Sequence, residues 1–76
     1  MTKAEREVME ILYKCVNKIT GMAPSNPCNT ALIFRRFKQV GEASRYMLWG
    51  LSSLNHEEIE EAKEDMNQAW EILEDL

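Results

Sequence analysis

The sequence is poor in the residues that carry out chemistry. One histidine, two cysteines, two prolines and three glycines are spread over 76 residues. Cys15, Cys28 and His56 follow no recognised metal-ligand spacing, and no Glu-x-x-His pair of the di-iron bundle type is present. A glycine-rich phosphate loop is also missing. General-base work by His56 would require a nucleophile and a pocket that the chain does not suggest. The expectation is a protein with no enzymatic activity, no metal and no cofactor.

Long apolar runs are missing too. No stretch approaches the roughly 20 residues of a membrane span. The opening Met1–Glu7 segment is charged, unlike the apolar centre of a signal peptide. A cytoplasmic location is therefore expected, with both cysteines reduced. Two cysteines cannot supply a disulfide framework, and a lone core in a chain of this size contributes only about 3–5 kcal/mol. The whole chain, 1–76, thus reads as one domain, with a second subunit as the expected source of further stability.

Hydrophobic periodicity then divides the chain into three helices. The first, about 2–20, opens with Thr2 and Glu5 at capping-box spacing. Val8, Ile11, Leu12, Cys15, Val16 and Ile19 form one stripe of about 140°, and Gly21 is placed to close the helix as a left-handed cap. Residues 21–29 hold both prolines and read as a linker. Asn26 or Asn29 could cap the second helix. That helix, about 30–54, has a seam of Ile33, Phe37, Val40, Ser44, Met47, Leu51 and Leu54 at alternating spacings of four and three. Gly41 and Gly50 inside it mark a bend or a close helix approach. The third, about 55–76, takes Asn55 as cap with Glu58 completing the box, and Ile59, Ala62, Met66, Ala69, Leu73 and Leu76 as its seam. The fold class is all-α: a three-helix bundle, or helical hairpins with coiled-coil-like heptad packing, completed by self-association into a dimer or larger homo-oligomer.

The net charge of −4 conceals a division. Residues 1–54 carry eight basic and four acidic side chains, whereas 55–76 carry one lysine and nine acids. Whole-chain acidity argues against coating nucleic acid, and the linker is too long for a helix-turn-helix. The division suggests pairing of a basic segment with an acidic helix, within the chain or between subunits.

One face of the second helix is unusual. Arg35, Lys38, Glu42, Arg45, Tyr46 and Trp49 lie opposite its seam, mixing aromatics with cations on a side expected to meet water. Arg45 and Trp49 are four apart, so the guanidinium can lie over the indole. Either this face is core, sandwiched between helices or subunits, or it receives a protein partner, or it holds an anionic ligand such as a nucleotide between subunits. Glu57, Glu60, Glu61, Glu64, Asp65 and Glu71 make the third helix acidic outside. That surface is either a solvated face or an imitation of a phosphate backbone. The leading expectation is a small interaction protein that modulates or inhibits a partner macromolecule, compatible with a phage or mobile-element regulator. A non-catalytic anion binder and a structural oligomerisation module are the alternatives.

Overall fold

Thr2 starts the first helix as its spacing predicts. In the computed structural model, which describes residues 2–21 and 30–76, the Thr2 hydroxyl accepts the Glu5 backbone N–H at 3.2 Å and donates to the Glu5 carboxylate at 3.2 Å. α1 then runs Lys3–Thr20. Its end differs from expectation: Gly21 keeps a right-handed φ of −73°, and its N–H continues the ladder to the Asn17 carbonyl. A left-handed turn is not needed there. The choice between Asn26 and Asn29 as cap falls outside the described residues, and so do the surroundings of Cys28 and of the Ile33 side chain.

α2 covers Thr30–Asn55 and α3 covers Ile59–Glu74. No strand occurs among the described residues. The two helices meet through a turn that sequence spacing places wrongly. Asn55 is the last residue of α2, not the cap of α3, and Glu58 occupies the cap position without a side-chain bond. Glu57 takes a left-handed φ of 62°. Its N–H bonds to the Leu54 carbonyl at 3.1 Å, while the Glu58 N–H reaches back to Ser53 at 2.9 Å. This pair of bonds is a Schellman closure. Tertiary demand for an immediate chain reversal overrides Glu57's preference for right-handed backbone. His56, expected in the first turn of α3, instead directly follows α2, with its Nδ1 2.8 Å from the Ser52 carbonyl.

The three helices run up, down and up. α3 is the central element: it packs along both others, while α1 and α2 barely touch. One core cluster joins Cys15, Ala43, Ala69 and Leu73, with Ile11, Ile19, Val40 and Tyr46 packed around it. A second, nearer the α2–α3 turn, joins Val8, Ala62 and Met66, with Leu12, Leu51, Leu54 and Ile59. α1 and α3 are also pinned in parallel register. Lys63 and Glu7 form an ion pair at 3.3 Å, and the Lys14 ammonium lies 4.4 Å from the centre of the Trp70 ring. Both contacts are exposed enough to contribute about 1 kcal/mol or less each.

Val40, Met47, Leu51 and Leu54 of the expected α2 seam pack against the core, but the helix is turned so that one edge of the seam is left out. Ala43 and Gly50 are buried against α3, whereas Phe37 is 64% exposed. The physical reason is size. α3 offers Ala62 and Ala69 beside Met66 and Leu73, and small residues facing small residues let the two backbones approach. A Cβ built on Gly50 would stand 3.2 Å from Met66 Cγ and 3.3 Å from the Ala62 carbonyl oxygen; one on Gly41 would meet nothing within 4 Å. Of the two glycines, only Gly50 marks a close approach.

Two substitutions probe this geometry through stability. Glu57→Gly, which removes the left-handed penalty, should raise unfolding free energy by about 0.5–1 kcal/mol in urea melts; a loss of stability would show that the Glu57 backbone carries no strain. Alanine at Gly41 gains helix propensity without a clash, while alanine at Gly50 gains the same propensity and overpacks. Gly41→Ala should therefore exceed Gly50→Ala in stability by more than about 1 kcal/mol in the same assay.

Candidate binding surface on the second helix

The inward rotation of α2 decides which of its side chains remain outside. Arg35, Lys38, Glu42 and Arg45 are exposed, Trp49 is 51% exposed, and Tyr46 is half-buried against the first core cluster. The expected face is thus one surface, but its aromatics differ in role. Tyr46 is anchored in the core, and its ring meets the Trp49 ring edge-on, with centroids 5.3 Å apart and planes at 87°. That geometry suits the ring quadrupoles. The expected stacking of Arg45 on Trp49 does not form among the described residues, where the cation–π contact is Lys14 on Trp70. Trp70 lies next to the α3 seam, and only the parallel register of α1 brings Lys14 to it.

Two shallow depressions flank this surface. Glu42, Arg45, Tyr46 and Trp49 line one, and Arg35, Lys38, Gln39 and Glu42 line the other. Glu42 lines both, so neither is purely cationic. The Gln39 side-chain oxygen is buried without a hydrogen-bond partner among the described residues. No three His, Cys, Asp or Glu side chains gather as a metal site among those residues.

The expected pairing of basic and acidic segments inside the chain is not found among the described residues. The one ion pair among the described residues joins the lysine of α3 to an acid of α1, the reverse polarity. Arg35, Lys38 and Arg45 of α2 and most acids of α3 stay in solvent. Glu57, Glu60, Glu61, Glu64 and Glu71 are exposed, and Asp65 is partly covered. Their crowding is felt at Glu61. A hydrogen bond with Glu58 and then the Glu58 charge push its carboxyl above the ordinary 4.5. On α1, burial pushes the Cys15 thiol up, against the opposing field of Lys14. Cys15 is a free thiol inside the core, with its sulfur 4.0 Å from the Met66 carbonyl.

Helical spacing does not reveal Phe37 and Leu48 as surface residues. It puts Phe37 in the seam and Leu48 on neither face, yet they are 64% and 67% exposed. Tyr13, at 61%, and Val16, at 42%, are the corresponding large apolar side chains on α1. The signal in the sequence that points to them is the Ala43–Gly50 pair, seven apart and matching Ala62 and Ala69. Among the described residues no helix is long and apolar enough to cross a membrane. Comparison with models of known families, with curated proteins and with solved structures finds no match.

A raised folded-state pKa favours the protonated form, so Glu61 contributes stability at low pH that is lost as pH rises through its elevated value. The melting temperature of the wild type should therefore fall relative to that of Glu61→Gln as pH climbs from below 4.5 to neutrality. Parallel curves across that range would show that the Glu58–Glu61 contact does not persist in solution.

Proposed function

We propose that this chain is a non-enzymatic interaction protein that binds a partner protein through the outward face of α2 and modulates its action. The observation that carries the reading is the posture of Trp49. A half-exposed indole is braced by Tyr46, whose own ring is held in the core, so the aromatic pair is ordered before any partner arrives. An ordered anchor loses little side-chain freedom on binding, and Trp, Tyr and Arg dominate interface energetics. Arg45 and Lys38 beside it form no ion pair with the described residues, so their charge is available to steer an acidic partner surface. The acidic exterior of α3 lies on a different element and would repel such a partner, which confines contact to α2.

The double variant Trp49→Ala/Arg45→Ala tests this. Capture of the partner from host extract should fall to background, while the helical circular-dichroism signal stays at its wild-type level. Undiminished capture by a folded double variant removes the face from function, and loss of helicity would mean that Trp49 belongs to the core.

A further inference from the structure

α2 and α3 carry opposite charge on their outward faces, and among the described residues neither face is paired within the chain. On α2, Arg35, Lys38, Glu42, Arg45 and Trp49 follow one another at intervals of three, four, three and four, and all are exposed. On α3, Glu60, Glu64, Asn67, Glu71 and Glu74 follow at four, three, four and three, and all are exposed as well. Each set stays within about 80° of its helix surface. Positions spaced this way form a straight stripe, the arrangement by which two helices lie side by side.

Taken in opposite directions, the two sets of intervals are the same. An antiparallel meeting of one α2 stripe with one α3 stripe therefore sets Arg35 against Glu74, Lys38 against Glu71 and Arg45 against Glu64. The one acid of the α2 stripe, Glu42, meets the one neutral residue of the α3 stripe, Asn67. Trp49 meets Glu60, whose methylene stem offers the indole an apolar surface. No other register does this. Sliding one helix by a heptad in either direction brings Glu42 onto Glu60 or Glu74, and a parallel meeting of comparable overlap brings it onto Glu64 or Glu71. The chain's own α2 and α3 cannot make the contact, because they already meet through Gly50, Met66 and Ala62 on other sides of each helix.

We propose that the outward face of α2 docks, antiparallel, on the outward face of α3 of a second copy of the chain, through Arg35–Glu74, Lys38–Glu71 and Arg45–Glu64. This rests on the reading of the α2 face as a protein-binding surface and adds a regulator to it: a neighbouring copy takes the place of the partner and must leave before the partner enters. The contact joins two different faces, so a docked pair still offers one free face of each kind. Exposed ion pairs are individually weak, which places the association at roughly 0.1–1 mM. The like net charge of two copies acts at longer range and is already screened at about 0.1 M salt, where the Debye length is about 10 Å. More salt then weakens only the pairs in contact.

Sedimentation equilibrium of the full chain, up to about 1 mM, tests the pairing. The mass should rise above 8.9 kDa with concentration at about 0.1 M salt and return toward it at about 0.5 M. Arg45→Glu and Glu64→Arg each set like charge against like charge, and each should weaken association by about fivefold or more. Both positions are exposed and free of ion pairs among the described residues, so the helical signal stays at its wild-type level. An equimolar mixture of the two variants restores the pair with its polarity reversed and should associate as the wild type does. A wild-type monomer at every concentration, association that salt does not weaken, or a mixture no better than either variant alone overturns the pairing. The partner reading fails separately, because Glu64→Arg leaves the α2 face unaltered. That variant should capture the partner at least as well as the wild type, and capture that falls instead overturns the masking.

Discussion

The close approach of α2 to α3 governs the rest of the molecule. Where Gly50 meets Met66 and the Ala62 carbonyl, the absence of a side chain lets two backbones draw together, and Ala43 repeats the arrangement two turns earlier against the cluster that holds Ala69 and Leu73. That contact sets the rotation of α2 about its axis. Once set, it leaves Phe37, Leu48 and Trp49 in solvent and brings Tyr46 to the edge where its ring can brace the indole. A bulky side chain at position 50 would rotate or displace α2 and rearrange all three surfaces together.

Charge has little part in holding the bundle together. One solvent-exposed ion pair and one cation–π contact fix the register of α1 on α3, both spaced a heptad apart on each helix. Neither draws on the cations of α2. The positive α2 and the negative α3 therefore keep their fields, a persistent dipolar surface on a chain of net charge −4. Such a distribution orients encounter with other molecules more than it stabilises the fold. At the start of α3 the crowding of carboxylates is felt at Glu61, whose carboxyl the hydrogen bond with Glu58 and then the Glu58 charge push up.

Periodicity makes the helices readable. Thr2 and Glu5 announce the first start, the apolar stripe from Val8 to Ile19 its inward face with Val16 alone left exposed, and the glycine and prolines its end. The basic and aromatic face of α2 is equally visible, because residues three and four apart must share a side. The α2–α3 turn is not. Asn55 and Glu58 have the spacing of a capping box, yet the chain closes with Glu57 in a left-handed conformation that glutamate seldom adopts. Local preference loses there to the packing of the two helices it joins.

What the sequence determined alone is the set of rods and the angular position of every residue on each, since both come from a backbone repeat of 3.6 residues that needs no partner. It could not determine which edge of the α2 seam would turn fully inward. Phe37 with Ser44 borders the inward face on one side, and Ala43 with Gly50 borders it on the other, with Val40, Met47, Leu51 and Leu54 packed between them. Tertiary structure decided for the edge with Ala43 and Gly50, because α3 presents alanines, and only small residues allow the separation at which Met66 and Leu73 fill the space between the helices.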